Sequence, residues 1–251
     1  MVNDYDKFAK ERQEELLKGT KKPHKFVEKP MMFSMMPNLT GKKVLMLGCG
    51  TGEETKILES FGASDLIGID LSEESIRLAK EAYSNYEFIV GDMHSLPFNN
   101  ESFDFVYSSL AIHYSDKPNI VYEEVNRILK IRGQFLFSVG HPLRWSSDKI
   151  IINNNSITLI GYASEKDEKQ EVYGNYNDFI NQDHLFTSGE TLNFYVGPPS
   201  MHFKLLKKAG FDIEDFTESV CTEECKNYDL RYYNIFSKIP QFMAFLATKQ
   251  K

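Results

Sequence analysis

Apolar positions along the chain change their spacing near Lys43. Before it, residues 5–18 set Phe8, Leu16 and Leu17 among charges, the pattern of a surface helix stopped at Gly19. Met31-Met32-Phe33-Ser34-Met35-Met36 follows. Polarisable methionines either fill irregular gaps in a core or grip a ligand, and core filling is the preferred reading. From Lys43 onward, short apolar runs at 44–47, 66–69, 87–90, 103–108 and 134–139 predict strands. Helical patterns at 53–61, 73–83 and 119–129 lie between them, the last closed by Arg132-Gly133. Strands alternating with helices build a parallel sheet covered on both faces. The alternation lapses from His141 to about Pro199, where tyrosines, asparagines and charges replace the expected helix. That stretch is read as an insertion. A helix at 201–209 and strands at 211–216 and 242–247 close the chain.

A chain of 251 residues, 41% of them hydrophobic, is long enough for one elaborated domain. Its net charge of −7 disfavours a protein whose affinity comes from neutralising many phosphates, so no nucleic-acid partner is expected. The acidic start lacks the basic and apolar order of a secretory signal, and no apolar run suits a bilayer, so a cytoplasmic protein without a membrane partner is expected. Three cysteines, at 49, 221 and 225, give no disulfide framework. Cys221 and Cys225 read as two thiols in a reducing compartment, and no metal set is expected.

Strand 44–47 runs directly into Gly48-Cys49-Gly50-Thr51-Gly52 and then a helix. Such a turn sits at the carboxyl edge of a doubly wound sheet, where glycine allows close approach and the helix start offers free amides to an anionic group. A dinucleotide loop would carry its third glycine at position 53, which here is Glu53, a carboxylate facing a pyrophosphate. A nicotinamide-dependent oxidoreductase is therefore the lesser alternative. Asp70 ends the second strand, where a carboxylate accepts from ribose hydroxyls, and Asp92 in Gly91-Asp92-Met93 follows the third, within reach of an adenine amino group. A helix cap and an ordinary turn aspartate are the plain alternatives.

With Val44-Leu45-Met46-Leu47-Gly48-Cys49-Gly50-Thr51-Gly52, Gly68-Ile69-Asp70-Leu71-Ser72, Gly91-Asp92-Met93, Leu96-Pro97-Phe98 and 103–113 in this order, the sequence resembles the class I S-adenosylmethionine-dependent methyltransferases, in the small-molecule branch. The resemblance spans about 42–140 and returns over 203–216. It implies S-adenosylmethionine as cofactor, S-adenosylhomocysteine as product and a small-molecule acceptor. It implies an α/β fold with a doubly wound, seven-stranded, mostly parallel sheet whose last strand, 242–247, runs antiparallel between its neighbours. It also implies an N-terminal helical lid over 1–40, with the methyltransferase domain in 41–251 and a substrate cap in the insertion at about 141–199.

In this resemblance Gly48, Cys49 and Gly50 back the methionine moiety, Asp70 and Leu71 hold the ribose, and Asp92 with Met93 flanks the adenine. Ser108, Ser109 and Leu110 line the sulfonium side, and Tyr5 covers the methionine end. Met46 departs from the pattern, standing where the family usually has an acid, which implies weaker cofactor affinity; a binding protein that has lost turnover is the corresponding alternative. His113 after the fourth strand and His141 after the fifth are the candidate bases, each with a structural alternative. Trp145 and Tyr195 are candidate substrate contacts, since with Tyr173, Tyr176, Phe186 and Phe194 they make the insertion aromatic. For most of these aromatics a small core of the insertion's own is the preferred reading.

Overall fold

The structure, a computed structural model, describes residues 9–10, 13–14, 18, 21–164, 170–185 and 191–250. The expected helix over 5–18, including Tyr5, falls largely outside them, as does Phe186.

Five strands arise in the predicted order: β1 (Lys43–Leu47), β2 (Asp65–Asp70), β3 (Glu87–Val90), β4 (Phe103–Ser109) and β5 (Leu129–Gly140). The insertion supplies β6 (Asp148–Ile152), β7 (Asn155–Leu159), β8 (Gly161–Ser164), β9 (Gln170–Tyr173), β10 (Ile180–Leu185) and β11 (Thr191–Val196). The C-terminal part adds β12 (Phe211–Glu218) and β13 (Phe242–Lys249). Seven strands join in the order β12-β13-β5-β4-β1-β2-β3. β13 runs antiparallel to both β5 and β12, as expected, while β1 to β5 are parallel.

The sheet buries both faces, and β1 shows why. Val44 and Met46 belong to one core layer, Leu45 and Leu47 to the other, the period-two alternation of a strand with no wet side. The first layer also takes Met31, Met32 and Met35, so the methionine run is core. Met31 and Met32 come from α1 (Lys29–Ser34), which continues a π-helical turn at His24–Glu28, and Met35 caps its end. The flanking helices include α2 (Thr55–Ser60), α3 (Glu73–Ala82) and α4 (Pro118–Ile128). Ser72 starts α3 by accepting the Ser75 amide at 3.0 Å, with Glu73 and Glu74 in the first turn, where negative charge suits the helix dipole.

Besides shifts of a few residues at element ends, the strand after α4 and the insertion differ from the sequence reading. β5 begins at Leu129, not Gln134, because Leu129 pairs with Phe103 before Arg132, at φ 65°, and Gly133 bend the strand. The insertion forms three separate hairpins, the first turning at Asn153-Asn154 with φ 49° and 63°, the left-handed geometry such turns require. Its described aromatics do not pack into one core: Phe194 is buried against Trp145 and His113, and Tyr162 is exposed.

Strand order reverses between β1 and β4, so a crevice opens at their carboxyl ends. No helix among the described residues is long and apolar enough to cross a membrane.

Candidate functional site

The glycine loop starts where the Gly48 and Cys49 amides both donate to Ile69 O, at 2.8 and 3.0 Å, locking the end of β1 to β2. Gly48 takes φ +69° and a Cβ there would stand 2.3 Å from the Ala111 Cβ, so no other residue fits without displacement. Asp70 Oδ2 accepts the Gly50 amide at 2.8 Å and Oδ1 the Ser72 amide at 3.0 Å. The carboxylate thus fixes the loop from the neighbouring strand.

Beside this loop lies a cleft with an empty volume of about 750 Å³ including its open mouth. It brings together Gly48, Gly50, Asp70, Leu71, Asp92, Met93 and Leu110 of the expected residues. Cleft size, a loop that approaches closely and two carboxylates at the strand ends fit an adenosine-bearing cofactor. Sequence reading passed over His94 and Ser115, which also line the cleft. The His94 amide donates to Asp92 Oδ1 at 2.9 Å, the ring Nδ1 lies 2.6 Å from the same oxygen, and Nε2 lies 2.7 Å from Ser115 Oγ. Burial alone would raise the Asp92 pKa, but the amide, ring and charge of His94 outweigh it and hold the carboxyl below its ordinary value.

Behind the loop is a smaller recess lined by His24, Met46, Cys49, Glu53, Glu54, Tyr107 and Ser109. Lys29 reaches it from α1, pairs with Glu54 and donates to Ser109 Oγ at 2.7 Å. Tyr107 donates to Glu54 Oε2 at 2.9 Å. Glu28, fully buried, accepts from Ser109 Oγ at 2.9 Å and Ser138 Oγ at 2.7 Å. Desolvation opposes the Lys29 charge, yet Glu28 and Glu54 outweigh it and raise the ammonium pKa. Burial, then the Asp70 and Glu53 charges, push the Cys49 thiol well up, so it stays protonated. Of the charged members of this recess Glu53 stands out in the sequence, whereas Glu28, Lys29 and Glu54 read as solvated helix residues.

A third cavity, with an empty volume of about 640 Å³, is walled by His113, Trp145, Phe194 and Phe242. Leu110 and Tyr114 line both it and the main cleft, so the two adjoin. Leu110 holds φ 48°, a left-handed backbone rare for a branched residue, at that junction. His113 packs 4.2 Å from Phe194 and 4.4 Å from Tyr114, ring centre to ring centre.

Three expected residues among those described fall elsewhere. His141 is fully buried and lines neither cavity: Nδ1 accepts the Leu143 amide at 3.2 Å and Nε2 lies 2.8 Å from Glu218 Oε1. Both ring nitrogens are engaged, which leaves it a helix cap and not a base. Tyr195 points away from Phe194 and stacks on Phe179 at 5.6 Å, so Phe194 takes the wall position expected of it. Ser108 is fully buried and donates to Leu47 O at 2.9 Å, a bond between strands and not toward a ligand. Tyr5 lies outside the described residues.

Comparison with known proteins agrees with this geometry. Residues 45–137 match the family model described as methyltransferase domain. An S-adenosylmethionine-dependent methyltransferase of Mesorhizobium loti is 23% identical, with a TM-score of 0.69 over 88% of this chain and 97% of that one. A Listeria monocytogenes protein provisionally named an S-adenosylmethionine-dependent methyltransferase is 26% identical, with a TM-score of 0.69 over 89% of this chain and 97% of that one. The demethylmenaquinone methyltransferase of Lactococcus lactis subsp. lactis is 37% identical over 115 residues, 43% of this chain and 46% of that protein. The chain spans about half the length of the curated relatives it matches. The domain matched over 45–137, the seven-stranded topology and a cleft built from the glycine loop and two strand-end carboxylates support a class I S-adenosylmethionine-dependent methyltransferase, with S-adenosylmethionine the cofactor that family and fold imply.

Proposed function

We propose that the protein transfers the methyl group of S-adenosylmethionine to a small-molecule acceptor held in the aromatic cavity. The observation that carries this reading is the shared wall: Leu110 and Tyr114 line both the cofactor cleft and the cavity faced by Trp145, Phe194 and His113. In it, Gly48, Cys49, Gly50 and Ser109 serve the methionine end, Asp70 and Leu71 the ribose, and Asp92 and Met93 the adenine. The cofactor supplies an already activated methyl group, so the protein's task is mainly to align the acceptor and keep water out. Flat aromatic walls suit a partly apolar acceptor. His113 lines this cavity and is the base assigned to an acceptor that must lose a proton. Residues 1–40 act as a lid and 141–199 as the acceptor cap in this reading, since His24 from the first and Phe194 from the second line the aromatic cavity.

The test is transfer of labelled methyl from S-adenosylmethionine to a panel of low-mass phenols, acids and amines. Label in at least one of them, lost in Trp145→Ala with S-adenosylhomocysteine affinity retained, supports the reading. Cofactor binding without transfer to any acceptor favours a protein that has lost turnover.

A further inference from the structure

The recess behind the glycine loop contains an arrangement that the sheet topology alone does not require. Met46, where the family usually has an acid, is 1% exposed, and its sulfur lies 3.9 Å from Thr55 Oγ1. The family position therefore offers no charge. Immediately before Thr55, however, Glu54 lines the same recess as Met46, Gly48 and Gly50. Its carboxylate is fixed from two other elements, by Lys29 of α1 and by the Tyr107 hydroxyl of β4 at 2.9 Å. We propose that Glu54 is the acid that receives the α-ammonium of the cofactor's methionine end, doing from the start of α2 what position 46 does in the rest of the family. The proposal rests on the cofactor reading above.

Charge and hydrogen bonding support it. Lys29 stands between two carboxylates, 3.2 Å from Glu28 Oε2 and in contact with Glu54, so the cluster holds one negative charge in excess. A buried charge without a counter-ion is costly, and a cationic group on a ligand removes the excess. Glu28 is not the receiver: it is fully buried and absent from the recess wall, with Ser109 and Ser138 both on Oε1, and Oε2 turned to Lys29 at 3.2 Å. Glu54 has a 14% exposed side chain that faces the recess, and two bound donors leave a carboxylate with acceptor sites to spare. Glu53 lines the recess too, but the hydroxyl that donates to it is that of Thr51, in its own loop. Lys29 and Tyr107 are then positioning residues for Glu54, and α1 completes the methionine end of the site.

The test compares two ligands, S-adenosylhomocysteine and its deaminated analogue, titrated calorimetrically against the full-length protein and its variants. The wild type is expected to prefer the amino-bearing ligand by at least about tenfold. In Glu54→Gln, which keeps the side chain's size and one acceptor oxygen but not the charge, that preference collapses toward one while affinity for the deaminated ligand holds. Glu53→Gln keeps the preference. In Met46→Asp/Glu54→Gln, which returns an acid to the family position, the preference reappears; this variant also answers a Glu54→Gln protein that folds poorly. An unchanged preference in Glu54→Gln, or equal weakening of both ligands, overturns the proposal and leaves the cofactor reading standing. A wild type that binds neither ligand overturns the cofactor reading, and this proposal with it.

Discussion

Gly48 and Ala111 are so closely opposed that a Cβ on Gly48 would lie 2.3 Å from the Ala111 Cβ, with Gly48 already at φ +69°. The contact joins the glycine loop to the segment after β4, and both residues line the cofactor cleft. Gly48→Ala is expected to cost about 3 kcal/mol, from overpacking and the left-handed backbone together. Urea midpoints measure it, and Gly48→Ala/Ala111→Gly is expected to recover the overpacking part only. A loss below about 0.5 kcal/mol, the range of an ordinary surface change, would contradict the contact.

Acid sensitivity is expected from His202, fully enclosed by the fold, with Nδ1 2.6 Å from the Tyr122 hydroxyl. Burial pushes its pKa down from 6.5 to about 3. The imidazole is thus neutral in the folded protein and takes a proton more readily when unfolded. Its contribution to stability is complete above pH 6.5 and is lost progressively as pH falls from there toward about 3. Between pH 7 and pH 5 the loss is on the order of 2 kcal/mol. Burial, partly offset by Glu218, depresses His141 as well, with the same sign. Urea titrations at the two pH values are expected to show a smaller loss for His202→Gln than for the wild type; an equal loss would remove His202 as the cause.

His141→Ala is expected to lower stability by about 1–3 kcal/mol, because the Leu143 amide and Glu218 lose their partner. Affinity for S-adenosylhomocysteine stays at the wild-type value. Thermal melts and titration of the same preparation check both halves, and a stable variant with impaired ligand binding would return His141 to the site.

Trp145 is the only tryptophan, and its indole lies 4.8 Å from the Phe194 ring and donates to Gln241 O at 3.0 Å. Protein fluorescence therefore reports on the aromatic cavity. Acceptors found in the labelling screen are expected to change it saturably, and Phe194→Ala to raise the acceptor KM with S-adenosylhomocysteine affinity unchanged. No fluorescence response to a turned-over acceptor would place acceptor binding elsewhere.

The sheet was legible in the sequence because its strands are buried on both faces and write themselves as apolar runs such as Val44-Leu45-Met46-Leu47, separated by helices. The glycines and aspartates of the cleft were legible because such residues at strand ends have few other uses. What the sequence concealed depended on register or on distant pairing. Phe194 and Tyr195 are neighbours on β11, but successive strand residues face opposite ways, so composition alone could not choose between them. The Lys29–Glu54 pair joins positions 25 residues apart through the fold, and nothing local marks either residue. His94 sits in a turn where its reach to Ser115, 21 residues on, is equally silent.

The central claim is that the cleft beside Asp70 binds the methyl donor. Calorimetric titration of the wild type with S-adenosylmethionine and S-adenosylhomocysteine tests it most directly, with Asp70→Ala and the reduced nicotinamide dinucleotide as controls. Saturable one-to-one binding of both adenosyl ligands is predicted, weakened at least about tenfold by Asp70→Ala, with no binding of the dinucleotide. Absence of binding for either adenosyl ligand, or preference for the dinucleotide, would contradict the account.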